Sequence, residues 1–175
     1  MLHGVIEYAM NQSTLNALMS FPQQLENFYE AIPAGYKHWT PPSWDGIPSE
    51  NFTAIEQICH VRDVELDGYH VRFQRALHET NPTLESLEGY ILARKRDYAN
   101  ANAADVFAAF RSGRNKTIEL LSNLTPEQYK RTATFEGYGL LTVQSLAHYL
   151  CSHDQQHLAG LQWLLGKIEA SHIQS

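Results

Sequence analysis

Few cysteines, no long apolar run and no excess of basic charge mark this chain of 175 residues, and each scarcity removes a class of function. Its two cysteines, Cys59 and Cys151, are too few for the disulfide framework of a small secreted domain. No apolar stretch approaches the roughly 18 residues that span a bilayer, so no membrane partner is expected. Lysine and arginine number 13 against 19 acidic residues, a net charge of −6 with histidine neutral. The densest basic run, ARKRDY at 93–98, is too short to form a patch, which argues against nucleic acid as a partner. The opening MLHGVIEYAM lacks the basic and apolar regions of a secretory leader, so cytoplasm is the expected compartment. No internal repeat is visible. What is present is 43% hydrophobic and 18% charged, the composition of a compact folded chain. Its length suits one domain over 1–175 with a sizeable core.

Four long segments carry helical periodicity. The first, about Val5 to Ala31, places Leu15, Leu18, Met19, Leu25 and Phe28 on one stripe, and Pro22 either kinks it or splits it. The stretch IPAGYKHWTPPSWDGIPS, 32–49, is a Pro-, Gly- and Trp-rich connector, long enough to be functional or packed over a site. The second helix is read over Phe52 to Glu79, capped by Ser49 or Asn51, with core positions Ile55, Leu66, Tyr69 and Phe73. A mixed segment follows over 83–101, its first part a short helix and Asn100–Asn102 a break. The third helix covers about Ala103 to Leu124, with Val106, Phe107, Phe110, Ile118 and Leu121 as its apolar positions. Thr125-Pro126-Glu127 restarts a turn, and 131–142 is an irregular or short extended link. Thr142 then caps a last helix to about Ile168. The architecture expected is all-α, a four-helix bundle with a long first connector and an irregular insertion before the third helix. Such bundles build metal and ligand sites from side chains on facing helices.

Nine histidines are the feature most in need of a reason. On the last helix His153 and His157 stand four residues apart, about 40° apart around the axis at 100° per residue. Leu146, Leu150, Gly160 and Leu164 share that direction, so both imidazoles point into the bundle, with Gly160 leaving room beside them. Buried imidazoles need partners for both ring nitrogens, and the i, i+4 spacing brings two rings to one zinc-like ion. The bland alternative is two core-edge histidines bonded to water or carbonyls. On the second helix, in FTAIEQICHVRDVELDGYHVRF, His60 lies at the seam with a neighbouring helix, where it reaches toward a site between helices.

The histidine followed by HVRDVE on the second helix, together with LLTVQSLAHYLCSHDQQHLAGLQWL at the end of the chain, resembles the DinB-like/YfiT superfamily. The resemblance spans nearly the whole chain in helix order. It implies a four-helix bundle holding one divalent metal on three histidines, which here are His60, His153 and His157. It further implies an arginine on the third helix, which Arg114 and Arg111 both match, and a homodimer. Asp63, Glu65 and Asp154 are candidates to orient ligands or act as a base from behind them, with exposed surface carboxylates as the plain alternative. His38, Trp39 and Trp44 either line the site or pin the connector to the bundle, and Arg114 is a further candidate to touch substrate. His148 faces away, and His3, His70, His78 and His172 read as surface residues; Cys59 and Cys151 read as buried structural thiols.

Three imidazoles leave a divalent ion its full charge and an open position, where a bound water or thiol is activated. They suit zinc or nickel, and also iron or copper. The resemblance implies two activities, thiol S-transfer with a low-molecular-weight thiol and metal-dependent hydrolysis of a small molecule. The opposing class is a non-catalytic metal-binding stress protein or dimeric scaffold. A fourth protein ligand closing the ion would favour that class; an open face under a pocket lined by the Gly35–Gly46 loop would favour catalysis.

Overall fold

The computed structural model describes residues 9–173. His3, and the part of the first helix expected before residue 9, lie outside the described residues. Helix α1, Gln12–Ala31, is capped by Asn11, whose side chain accepts from the amides of Ser13 and Thr14. It runs unbroken through Pro22. Proline there has no N–H to give the carbonyl of Leu18 one turn back, and that carbonyl instead accepts from Arg114 Nη1 at 3.1 Å. Met19, placed on the apolar stripe by periodicity, is 58% exposed.

The second long helix is one rod in three parts: α2 over Ala54–Asp63, a π-helical segment over Val64–Tyr69, and α3 over His70–His78. Its cap is Thr53 rather than Ser49 or Asn51. The Thr53 side chain accepts from the Glu56 amide, and the Glu56 carboxylate reaches back to the Thr53 amide. A short helix α4, Gly89–Lys95, and a single 3-10 turn at Tyr98–Asn100 fill the insertion. Helix α5, Ala103–Ser122, is capped by Asn102; a single turn, α6, follows at Pro126–Tyr129; and α7 runs Val143–Ser171 from the capping Thr142.

The helical bundle carries one small sheet. The link over 131–142 is a β-hairpin, β2 (Thr132–Phe135) antiparallel to β3 (Gly139–Thr142). The start of the insertion, Thr83–Leu84, is strand β1, which adds to β2 in parallel, where a helix was expected. Ala133, Phe135 and Leu141 turn inward from this small sheet, which closes one end of the bundle.

Helix α1 packs on α5 and α7, and α2 packs on the same two. The first and second long helices, and the third and fourth, therefore face each other across the bundle, while the second and third lie side by side. That arrangement requires long crossovers, which accounts for the connector between α1 and α2 and for the hairpin segment between α5 and α7. Two apolar clusters fill the interior, one around Phe21, Phe52, Phe107 and Leu161, the other around Leu18, Phe73, Leu121 and Leu146. Trp44 is buried in the first, and Trp39 packs on its edge. No described helix is long and apolar enough to cross a membrane.

Candidate metal centre

Helices α2 and α7 meet where each carries histidine. His157 is fully buried and His60 nearly so, while His153 is partly open. The Nε2 atoms converge: His153 to His157 at 3.1 Å, and His153 to His60 at 3.4 Å. The three candidate donor atoms lie within 4.8 Å of one another. Bonds of 2.0–2.1 Å to a tetrahedral ion would set such nitrogens about 3.3 Å apart.

The chemistry of the donors fits a cation as well as the spacing does. His157 Nδ1–H donates to Gln57 Oε1 at 2.5 Å, which leaves its Nε2 as a lone pair. Burial depresses all three imidazole pKa values; at His153 and His157, far below the ordinary 6.5, repulsion from the neighbouring rings adds to it, whereas at His60 the carboxylates of Glu50 and Asp63 oppose it. They are neutral ligands near pH 7. A neutral ring's Nε2 either donates or accepts, so a proton on His153 serves one neighbour well and not both. A cation serves all three.

Gln57 is fully buried, three residues before His60 on α2. Its Nε2 donates to Ser49 Oγ at 3.2 Å and to the Glu50 carbonyl at 3.1 Å, so it ties the end of the connector to His157. Gly160 on α7 makes this possible: a Cβ there would lie 2.7 Å from Gln57 Nε2 and 2.6 Å from Ser49 Oγ. The Glu50 carboxylate stands over the triad, Oε2 3.5 Å from His157 Nε2 and Oε1 3.6 Å from His60 Nε2. His60 Nδ1 is buried with no hydrogen-bond partner.

A cavity of about 630 Å³ opens in front of the triad, with His60, His153 and Glu50 in its wall. Pro48–Glu50 form its connector side, not the Gly35–Gly46 stretch. His38 is exposed, Trp44 is buried in the apolar interior and Trp39 packs on its edge, so the two tryptophans pin the connector and none of the three lines the cavity.

The acidic residues expected on the surface or behind the ligands are all buried and engaged elsewhere. Asp63 accepts from Arg62 Nε at 2.7 Å, from Arg96 Nη1 at 2.8 Å and from the Tyr98 hydroxyl. Glu65 and Asp154 clasp Arg114. The guanidinium donates Nε and Nη2 to Glu65 at 3.2 and 2.8 Å, Nη1 and Nη2 to Asp154 at 2.7 and 3.0 Å, and its last N–H to Leu18. All five donors are used, and Arg114 is 1% exposed. It is a strut between α5, α7, the π segment and α1, not a substrate contact. Arg111 pairs with Glu26 at the surface. Burial pushes Asp154 up to about 7 against the pull of Arg114, with Glu65 adding to the push.

His148 Nδ1 meets Thr14 Oγ1 at 2.9 Å, away from the triad. His70, expected on the surface, is partly buried, its Nε2 3.0 Å from the Gly113 carbonyl and 3.1 Å from Thr117 Oγ1; His78 and His172 are exposed. Burial raises the Cys59 thiol to about 12, an inert interior group; Cys151 is partly buried.

With this geometry in place, similarity to known proteins can be read. The sequence profile of the DinB superfamily matches residues 17–161. The chain belongs to the DinB superfamily. Among solved structures, YfiT from Bacillus subtilis superposes with a TM-score of 0.78 at 19% identity, over 97% of this chain and 93% of that one. YfiT is described as a probable metal-dependent hydrolase with an unusual four-helix bundle topology. At that identity the likeness speaks for the fold, and the placement of the first helix across from the second and of the third across from the fourth in this DinB member is an arrangement off the ordinary up-down pattern. No curated protein matches the chain.

Proposed function

We propose that this DinB protein is a metal-dependent enzyme in which His60, His153 and His157 hold one divalent ion, zinc or nickel before iron or copper. The reaction is activation of a small nucleophile, water or a low-molecular-weight thiol, against a small-molecule substrate. The observation that carries this is the convergence of three neutral imidazole Nε2 atoms, 3.1 and 3.4 Å between neighbours, at the wall of an open cavity. A bound divalent ion lowers the pKa of a coordinated water or thiol toward neutrality.

The chain's own residues supply the rest. Gln57 fixes the tautomer and tilt of His157. Glu50, 31% exposed at the cavity wall, has a carboxylate within 3.6 Å of two of the ligands, placed to accept a proton from a nucleophile held against the triad. Gly89 at the start of α4 lets His60 sit close, since a Cβ there would come within 2.9 Å of His60 Cε1 and 3.1 Å of Glu50 Oε1. Neither cysteine lines the cavity, so the thiol of a transfer reaction would come from solution. The open cavity favours catalysis over a purely structural ion.

Chelated protein repleted with zinc or nickel is to be screened for hydrolysis of small esters and amides and for conjugation of thiols to electrophiles. The reading expects a metal-restored activity that His153→Ala abolishes together with stoichiometric metal uptake, and that Glu50→Gln reduces while leaving uptake intact. Unchanged uptake in His153→Ala removes the ligand assignment.

A further inference from the structure

We propose that the cavity in front of the triad takes a substrate bearing one carboxylate, which Arg72 grips while an apolar or aromatic body rests on the tyrosine-rich wall and a neutral reactive group meets the triad. This names the substrate class of the site above and rests on that reading for which end reacts.

Arg72, at the third position of α3, is 5% exposed and lines the same cavity as His60 and His153. It differs from every other buried charge here in lacking an opposite partner. Its Nε and Nη2 both donate to the Glu85 carbonyl, at 3.2 and 2.9 Å. Among the described residues no carboxylate pairs with it, and Nη1 makes no hydrogen bond. A guanidinium presents two flat donor edges. The side edge, Nε with Nη2, is spent on Glu85, and the end edge, Nη1 with Nη2, stays free for a planar two-oxygen acceptor.

The guanidinium is also held still. Its central carbon lies 4.9 Å from the Tyr69 ring centre and 4.5 Å from that of Phe135. Gly68 leaves the room it occupies, since a Cβ there would come within 3.0 Å of Nη1. Burying an unpaired charge is costly, and burial lowers the pKa of this arginine. An incoming anion offsets that cost.

Charge sets the orientation. Among the described residues, Arg72 is the only lysine or arginine in the wall, and Glu50 beside the triad is the only carboxylate. One cation suits a monoanion, and Glu50 repels it from the triad toward Arg72. The wall between carries Tyr69, Tyr138, Tyr149 and Phe135, with Phe135 and Tyr138 stacked at 4.7 Å. That is a surface for an apolar body.

The test is calorimetric binding of benzoate, phenylacetate, 3-phenylpropanoate and 4-phenylbutyrate, each against its primary amide, to the metal-repleted and the chelated protein. In both forms at least one acid should bind about tenfold or more tightly than its amide, the worth of a charged hydrogen-bonded pair. Arg72→Gln and Arg72→Lys, checked for folding by circular dichroism, should bring that preference below about threefold for Gln and leave it intermediate for Lys. Equal binding of acids and amides by the wild-type protein, which needs no variant, overturns the proposal. So does a preference that survives Arg72→Gln, or one that vanishes on chelation, which would put the carboxylate on the ion. A chain that takes up no metal yet keeps the acid preference would sink the triad reading alone.

Discussion

His153 and Asp154 are neighbours on α7, yet they feed two buried polar clusters of opposite character. Asp154 belongs to the clasp around Arg114, where each of five N–H groups has an acceptor and water is excluded. His153 belongs to a set of three lone pairs turned toward one another, with a cavity in front. The first cluster is complete in itself, and its work is to lock four helical segments together. The second is complete only with a cation. Burial alone does not mark function; a buried polar group whose valence is left open does.

The contrast predicts opposite responses to mutation. Arg114→Leu strands Glu65 and Asp154 as buried charges and should cost about 3–5 kcal/mol in urea unfolding. His153→Ala in the metal-free protein should change stability by less than about 1 kcal/mol, because among the described residues the His153 ring nitrogens make polar contacts only with the other two imidazoles. Equal losses for the two would break the comparison. Gln57→Leu removes the partner that orients His157 and should weaken metal binding about 10–100-fold in a chelator competition. Gly160→Ala, which drives a methyl into Gln57, should act in the same direction.

The pH response follows from the same difference. The triad imidazoles have folded pKa values depressed below the ordinary 6.5 of the unfolded chain. As pH falls below 6.5 the unfolded chain takes up protons that the folded rings refuse, so the metal-free protein should lose stability through that window and hold it above. Thermal unfolding of wild type against His153→Ala and His157→Ala between pH 7.5 and 5 reads this, the variants showing a shallower loss. The smallest effect belongs to Pro22→Ala. A restored amide at 22 competes with Arg114 for the Leu18 carbonyl while improving the helix, so stability should move by under about 1 kcal/mol.

Helix order and the His153–His157 pair were legible because both are written in local spacing, whereas the addition of His60 was implied by the family resemblance and not by spacing. Leucines mark the inner face of α7, and the i, i+4 pair sits on it. The extended link over 131–142 was partly legible, but strand β1 was not: it has two residues, and its partner β2 lies some fifty positions later, a pairing that local pattern does not carry. Asp63, Glu65 and Asp154 read as surface charges because their partners come from other elements, Arg114 from α5 and Arg96 and Tyr98 from the insertion. Glu50 and Gln57 were missed for different reasons. Glu50 lies in a connector with no periodicity, whereas Gln57, at i−3 from His60, already shared the ligand's helix face and could have been found there.

The most direct test is elemental analysis of the chelated and repleted wild-type chain beside His60→Ala, because residue 60 comes from a stretch of sequence remote from the other two. The account predicts one divalent ion per wild-type chain and loss of that stoichiometric ion in a folded His60→Ala protein. One tightly held ion remaining in His60→Ala would contradict it.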